Sequence, residues 1–261
     1  MKAAVVYGIN DLRLEEIEKP QIERDDQILV KIKAVGICGS DIHILHGANP
    51  FATYPRIMGH EMVGEVEAVG DNVKNIAIGD HIVVEPITYC GKCYACRKGM
   101  PNVCQQLKVS GVHVDGGMRE YIVIAEKQAH KIKKDIPWTT AVLAEPYTIA
   151  GNVTTRTNIS AGDKVVIQGA GPIGITILRM AKVKGATVLV TDMVDEKLAF
   201  AKENGAVMVV NPSKENLIEA VKTWTDGEMA NVVIDAACTP KTFEICFDLV
   251  SIAGTIGVLG M

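Results

Sequence analysis

Four cysteines stand close together in the first half of the chain. They follow the spacing C-x2-C-x2-C-x7-C in a glycine-containing stretch, as Cys90, Cys93, Cys96 and Cys104. This spacing lets one loop fold four thiolates around a tetrahedral ion, and four sulfur ligands leave no position open for a substrate. The pattern predicts a structural zinc site. Free or redox-active thiols and an iron–sulfur cluster are the alternatives, although the spacing does not match the ferredoxin runs.

A second group of metal-ligating residue types is spread over three short segments. Cys38 and His43 lie in the first, His60 and Glu61 in the second and Glu145 in the third. A thiol, an imidazole and a carboxylate that leave one coordination position open are the ligand set of a catalytic zinc. Each residue alone also has an ordinary structural interpretation, as a packed cysteine, a hydrogen-bonded loop histidine or a solvated carboxylate.

A glycine-rich turn lies between an apolar strand pattern and a helical run in the second half of the chain. The turn is GAGPIG, after the strand pattern VVIQ and before the helical run 175–182. Its glycines would let the backbone approach a pyrophosphate at the helix N-terminus. The predicted cofactor contacts are Gly169, Gly171, Pro172, Ile173 and Gly174.

Asp192 ends the next predicted strand, where an acidic residue that accepts the ribose hydroxyls is expected. A carboxylate there repels a 2′-phosphate, so the sequence predicts a preference for NAD over NADP. The alternative is that Asp192 only ends the strand and caps the following helix, although Asp195 is the better candidate for that cap. By the same topology, residues 236–238 are expected to lie over the cofactor.

Two patterns of elements must position these groups. Residues 1–150 contain short alternating or β-branched runs separated by Gly and Pro, which predicts an irregular β domain with long loops. In residues 151–261 the order strand, turn, helix repeats, which predicts an α/β domain with a doubly wound parallel sheet. Its predicted strands are Lys164–Gln168, Thr187–Thr191, Val207–Val210, Asn231–Ala236 and Thr255–Leu259.

Composition excludes several classes of function. Lys and Arg total 27 against 31 Asp and Glu, a net charge of −4, and the pI is about 5.9, so no basic field is available for a nucleic acid. The sequence shows neither a signal-peptide pattern nor a stretch of membrane-spanning length. An odd count of 7 Cys favours metal binding in a reducing compartment over disulfides. We expect a cytoplasmic protein with a small-molecule substrate and no membrane partner.

The order of these motifs along the whole chain resembles the zinc-dependent medium-chain dehydrogenases, particularly their sorbitol, threonine and sugar-acid dehydrogenase branch. The motifs are CGSDIH from Cys38, GHE from Gly59, the four-cysteine loop, Glu145-Pro146 and the glycine turn. The resemblance implies a GroES-like zinc-binding catalytic domain followed by a Rossmann NAD-binding domain. It also implies a last strand and a C-terminal return segment that this sequence lacks, and a homo-oligomer if the chain is full length.

The resemblance assigns roles to the residues of the second group. It implies that Cys38 and His60 bind the catalytic zinc and that either Glu61 or Glu145 is the third ligand. Ser40 and His43 match the family's proton path, and a relay is what removal of an alcohol proton requires. Asp41 is expected to orient His60 through a hydrogen bond.

The implied reaction is reversible hydride transfer between NAD(H) and a secondary alcohol of a small polyol, sugar acid or related hydroxy compound. Loops 44–54 and 111–117 carry His46, Asn49 and His113 and are expected to line a pocket for a hydroxyl-rich substrate. Two alternatives are a non-catalytic, zinc-stabilised binding or regulatory protein and a zinc-free enzyme like the quinone reductases on the same scaffold.

Overall fold

The computed structural model describes residues 1–259, and the chain divides into two compact units. Unit 1 comprises Met1–Glu145, and unit 2 begins at Pro146. The sequence placed the boundary after residue 150, and both positions lie within the helix Ala144–Arg156. In the described range, no helix combines the length and the apolar character needed to cross a bilayer.

Unit 1 is built mainly of short strands with three short helices. Its elements are β1 (Lys2–Gly8), β2 (Asp11–Glu16), β3 (Gln27–Gly36), α1 (Gly39–Leu45), β4 (Arg56–Ile57), β5 (Glu61–Val69), β6 (His81–Val84), β7 (Ile87–Thr88), α2 (Tyr94–Arg97), β8 (Lys108–Val109), β9 (Tyr121–Ala125), β10 (Ala129–Ile132) and α3 (Trp138–Ala141). Helix α4 (Ala144–Arg156) begins in unit 1 and continues into unit 2.

The main sheet of unit 1 has the strand order β10-β6-β5-β3-β9, and a smaller sheet has the order β2-β1-β4. All pairings in both sheets are antiparallel. The core under the main sheet contains Ile28, Val30, Met62, Ile82 and Ile122, all at most 2% exposed. Burying each such side chain contributes about 1.5–3 kcal/mol, which makes this sheet a firm support for the loops at its ends.

Unit 2 alternates strands and helices. Its elements after α4 are β11 (Lys164–Gln168), α5 (Pro172–Val183), β12 (Thr187–Thr191), α6 (Asp195–Glu203), β13 (Met208–Val210), α7 (Leu217–Trp224), β14 (Ala230–Asp235), α8 (Pro240–Leu249) and β15 (Val250–Val258). The strands form one parallel sheet with the order β13-β12-β11-β14-β15. The predicted α/β class with a doubly wound sheet is confirmed.

Successive residues of the central strands face opposite sides of this sheet, as strand geometry requires. Val165 and Ile167 of β11 lie in a core that includes residues of α4 and α5, whereas Val166 lies in a second core that includes residues of α7 and α8. The sheet is therefore covered on both faces, and the loops at the carboxyl ends of its strands meet at one edge.

Candidate functional site

Cys38 stands in the short loop between the end of β3 and the start of α1. The neighbouring Asp41 is 1% exposed, and its carboxylate accepts hydrogen bonds from Cys38 N at 2.9 Å and Gly59 N at 3.2 Å. One buried carboxylate thus joins the backbone of the loop that carries Cys38 to the residue that precedes His60.

The expected hydrogen bond from His60 to Asp41 is not formed. His60 Nδ1 lies 3.9 Å from Asp41 Oδ1, which exceeds hydrogen-bond length, and this buried nitrogen has no hydrogen-bond partner in the part of the chain that the structure describes. The expectation about Asp41 was wrong because both of its oxygens accept backbone N–H groups. Asp41 holds the two loops together and acts on the imidazole through its charge, without a hydrogen bond.

The structure brings Cys38, His60 and Glu61 together. One ligand atom from each of these residues lies within 4.8 Å of the other two, and Glu61 and His60 are 9% exposed. Three donors at this separation, from a thiol, an imidazole and a carboxylate, can surround one metal ion, so the residues present fit zinc.

Ionisable groups in this cluster perturb one another. The hydrogen bond with His60 lowers the pKa of the Cys38 thiol. Burial opposes the charged imidazole, but the Cys38 thiolate and the carboxylates of Asp41 and Glu145 outweigh it and raise the pKa of His60 to about 9. Burial raises the pKa of Glu61 and of Glu145. A divalent cation would offset the crowding of negative groups.

Glu145 is the second residue of α4 and lies at the edge of the cluster. Its carboxylate interacts electrostatically with both His60 and Glu61, but it does not belong to the set of ligand atoms that lie within 4.8 Å of one another. Of the two carboxylates expected from the sequence, Glu61 is therefore the one placed beside Cys38 and His60.

Ser40 and His43 lie three residues apart on α1, so they share one side of the helix. The Ser40 hydroxyl is buried and has no hydrogen-bond partner among residues 1–259. His43 is exposed. A buried free hydroxyl followed one turn later by an imidazole at the surface is suited to proton transfer towards solvent.

The four-cysteine loop brings its sulfur atoms into one cluster. The Sγ–Sγ distances are 3.5 Å for Cys93–Cys96, 3.5 Å for Cys90–Cys104, 3.8 Å for Cys93–Cys104 and 4.0 Å for Cys90–Cys96. Sulfur atoms bound to zinc at about 2.3 Å stand about 3.8 Å apart at tetrahedral corners. The distances are far above a disulfide bond and fit a four-thiolate zinc site.

Backbone N–H groups support thiolates in this loop. Cys93 N donates to Cys90 Sγ at 3.3 Å, and Gln106 N donates to Cys104 Sγ at 3.3 Å. Hydrogen bonds from Cys96 and Gln105 backbone groups lower the pKa of Cys93 to about 6. Donors aimed at sulfur favour the charged form that binds metal.

The glycine turn joins β11 to α5 in unit 2. Gly171 is the N-cap residue of α5 and Pro172 follows as its first residue. A Cβ on Gly174 would lie 1.9 Å from Gly169 O, so only glycine permits this approach of helix and turn. A Cβ on Gly171 would meet no atom within 4 Å, which leaves open space at the helix N-terminus for a phosphate group.

Asp192 follows β12 and faces this turn. Its Oδ2 accepts from Ala170 N at 2.9 Å, and its Oδ1 accepts from Val194 N at 3.0 Å. Helix α6 begins only at Asp195, with Val194 as the N-cap residue. The expectation that Asp195 caps this helix was wrong, because its carboxylate accepts from Asn211 Nδ2 and contacts Lys214 Nζ.

A cavity of about 250 Å³ opens beside the turn in unit 2. Gly169 and Asp192 line it, as does Ala237 from the segment expected over the cofactor. Further lining residues that the sequence did not single out are Met193, Pro212, Ser213, Thr239, Lys241, Thr242 and Ile245. These follow the carboxyl ends of β12, β13 and β14, so the topology rule for ligand sites on open sheets could have found them.

Asp235 supports the loop at this cavity and was not singled out from the sequence. It is fully buried, and Oδ1 accepts from Ala237 N at 3.1 Å and Cys238 N at 2.8 Å. Its Oδ2 accepts from the Thr242 hydroxyl at 3.0 Å. The bonds to Ala237 and Cys238 are local ones of the kind that Asp makes in turns, so an Asp at the end of a strand was a signal for this turn.

A larger, open groove of about 680 Å³ in unit 1 is lined by residues from the loops expected to contact substrate. Phe51, Thr53 and His113 lie there, together with Thr88, Tyr89, Cys90, Gln106, Leu107 and Lys108. His46 instead bonds Asn10 Oδ1 at 2.8 Å, and Asn49 accepts from Phe51 N at 2.9 Å. Of the polar set expected from the sequence, this groove contains His113 but not His46 or Asn49.

Known families match both units. Residues 24–134 match the alcohol dehydrogenase GroES-like domain, and residues 172–261 match the family described as zinc-binding dehydrogenase. Starvation-sensing protein RspB of Escherichia coli K12 is 42% identical over 100% of this chain and 76% of its own length. Sorbitol dehydrogenase of Bacillus subtilis is 33% identical over 100% of this chain and 75% of its own.

Solved structures share the fold. RspB from E. coli CFT073, complexed with the cofactor NADH, has a TM-score of 0.93 at 41% identity. The match covers 100% of this chain and 76% of the RspB chain. A zinc-binding dehydrogenase from Sinorhizobium meliloti 1021, bound to NADP, has a TM-score of 0.95 at 33% identity with the same coverage.

Proposed function

Because the chain belongs to the zinc-dependent medium-chain dehydrogenases, NAD(P)-dependent oxidoreductases of the alcohol dehydrogenase type, we propose that it oxidises a secondary alcohol of a small polyol or sugar acid. The similarity to sorbitol dehydrogenase supports this substrate class. The observation that carries the proposal is the cluster of Cys38, His60 and Glu61, with its three donors within 4.8 Å.

In the proposed site, Cys38, His60 and Glu61 hold the catalytic zinc, and Glu145 stands beside them. When bound, zinc supplies Lewis acidity that makes the alcohol proton easier to remove, and NAD accepts the hydride from the alcohol carbon. The four thiolates of the Cys90–Cys104 loop would hold a second zinc with a structural duty, because a set of four protein ligands would leave no position for a substrate.

Ser40 and His43 carry the proton. The buried Ser40 hydroxyl accepts no hydrogen bond within the described chain, so it can accept one from the substrate hydroxyl. His43, exposed on the same side of α1, passes the proton to solvent. The alcohol loses a proton from oxygen and a hydride from carbon, which gives a ketone and NADH.

The glycine turn and Asp192 select the cofactor. The turn Gly169–Gly174, including Pro172 and Ile173, receives the pyrophosphate at the start of α5. Asp192 accepts the ribose hydroxyls and repels a 2′-phosphate, so we propose NAD as the preferred cofactor. Its position between Ala170 N and Val194 N at the cavity supports this assignment.

The test is NADH formation by zinc-loaded protein over a panel of polyols and sugar acids, with metal analysis of the same sample. We expect turnover of at least one class and about two zinc ions per chain. Cys38→Ser should lose turnover and one zinc ion. Two bound zinc ions without turnover of any alcohol would favour a non-catalytic binding protein, and absence of zinc would favour a quinone reductase-like enzyme.

A further inference from the structure

Gly36 and Glu61 form a pair across two strands. Gly36 is the last residue of β3, and it lies opposite Glu61, the first residue of β5. A Cβ atom on residue 36 would lie 1.8 Å from Glu61 Oε2 and 2.9 Å from both Cβ and Cδ of Glu61. Non-bonded atoms do not approach so closely in packed proteins, so the Glu61 side chain occupies space that only a glycine leaves free.

The backbone gives no separate reason for a glycine at this position. Gly36 is absent from the glycines with positive φ within residues 1–259, in contrast to Gly59 at +92°. An L-residue is therefore compatible with the local conformation. The three atoms nearest to a Cβ at residue 36 all belong to Glu61, so this one side chain opposes a substitution.

We infer that Gly36 is a positioning residue, which sets the Glu61 carboxylate beside Cys38 and His60. The inference rests on the proposed function, because it takes Glu61 to be a zinc ligand. The Glu61 carboxylate occupies the space above Gly36. In this position one of its oxygens lies within 4.8 Å of the metal-ligand atoms of Cys38 and His60.

An alanine at residue 36 would act in two ways. The contact at 1.8 Å would force Oε2 to rotate away, which the flexible Glu61 side chain can do. The contact at 2.9 Å with Glu61 Cβ would also push the ends of β3 and β5 apart by a few tenths of an ångström. Both movements shift the carboxylate, and displaced metal-site contacts of this kind cost about tenfold to hundredfold in metal affinity.

Gly39→Ala provides the matched control for Gly36→Ala. Gly39 is the first residue of α1, three residues after Gly36, its φ is not positive, and a Cβ there would meet no atom within 4 Å. We measure zinc per chain, the affinity of the weaker zinc site by chelator competition, and the visible spectrum after cobalt substitution. Gly36→Ala should lose affinity at one site and change the cobalt spectrum, whereas Gly39→Ala should match the wild type.

The outcomes separate this inference from the proposed function. Wild-type protein with a single zinc ion would overturn both. Two zinc ions in the wild type, with unchanged affinity and cobalt spectrum in Gly36→Ala, would overturn the inference alone. Retention of the four-cysteine zinc shows that the variant is folded.

If Gly36→Ala loses both zinc ions, the double variant Gly36→Ala/Glu61→Gly tests whether the contact with Glu61 causes the loss. It removes every atom that a Cβ at residue 36 would meet most closely. Recovery of the four-cysteine zinc in the double variant is the expected result. Failure to recover it would overturn the inference, because the damage would then have a cause other than Glu61.

Discussion

Asp41 shows what a single side chain contributes to the site without contacting substrate. Its two oxygens each accept one backbone N–H, from Cys38 and from Gly59, and the side chain is almost fully buried. Two loops distant in sequence are thereby fixed so that Cys38 and His60 meet. A buried carboxylate with satisfied hydrogen bonds is a rigid connector, since losing either bond would leave a buried N–H unpaired.

The proposed preference for NAD depends on Asp192. Asp192→Gly removes the negative charge that opposes a 2′-phosphate and the acceptor for ribose hydroxyls. We expect the ratio of kcat/KM for NAD to that for NADP to fall by about tenfold or more, equivalent to about 1.4 kcal/mol. Steady-state kinetics with both cofactors and one alcohol measure this ratio.

Asp195→Asn is the control for this experiment. Asp195 is a nearby carboxylate, but it contacts Asn211 and Lys214 and does not line the nucleotide cavity. Its substitution should leave the cofactor ratio unchanged. An unchanged ratio in Asp192→Gly as well would show that Asp192 does not select the cofactor.

At the scale of elements, the sheet of unit 2 was predicted best. The bounds of β11 and β12 agree with the sequence prediction, because each is a β-branched run that ends at the residue before a turn. Strand β15 was expected from Thr255 but begins at Val250, directly after α8. No glycine or proline marks that junction, so the local signal for the strand start was absent.

Helix starts and the small sheet of unit 1 were predicted less well. Asp195 was favoured as the cap of helix α6, but the helix begins at Asp195 with Val194 as its N-cap residue, and Val194 N donates to the Asp192 carboxylate. Strand β2 was missed, since its charged sequence DLRLEE lacks a β-rich pattern and it forms by pairing with β1. A local side-chain bond accounts for the first case, and pairing with the neighbouring strand accounts for the second.

The candidate site was also predicted in part, and contacts between distant segments were missed. Motif order along the chain indicated Cys38, His60, Glu61 and the four cysteines, which the fold gathers into two clusters. The sequence could not indicate that Asp41 bonds Gly59, or that Glu61 occupies the space above Gly36. Each of these contacts joins segments brought together only by strand pairing and loop packing.

The close packing of α5 on the glycine turn gives a prediction about an element. Gly174→Ala would place a Cβ 1.9 Å from Gly169 O, so the helix must shift away from β11. We expect a loss of about 1–3 kcal/mol in the free energy of unfolding and weaker NADH binding, because the start of α5 moves. Urea denaturation and NADH fluorescence titration measure the two effects.

Gly151→Ala is the matched control in a helix of the same unit. A Cβ on Gly151 would meet no atom within 4 Å, and the residue lies inside α4. Alanine there should stabilise the protein by about 0.5–1 kcal/mol and leave NADH binding unchanged. If Gly174→Ala behaves like this control, close packing at the turn is not required.

At the scale of the whole molecule, the two units have separate cores and separate chemistry. The four-cysteine loop and the Cys38 cluster lie in unit 1, whereas the glycine turn and its cavity lie in unit 2. The sheet of unit 2 is buried on both faces by its own helices. A change that removes a metal ligand from unit 1 should therefore act on that unit.

Cys93→Ser tests this division. Serine is a poor zinc ligand, so the variant should contain about one zinc ion per chain instead of two, and amide exchange should accelerate in the loop from Cys90 to Cys104. Exchange in β11 and β12 and the NADH affinity should stay unchanged, because no thiolate of this cluster lies in unit 2. Cys238 belongs to unit 2 and lies outside both cysteine-containing clusters, so the control variant Cys238→Ser should retain two zinc ions.

Two zinc ions in Cys93→Ser would mean that the four thiolates are not a zinc site. Faster amide exchange throughout unit 2 would mean that the stability of unit 2 depends on the metal of unit 1.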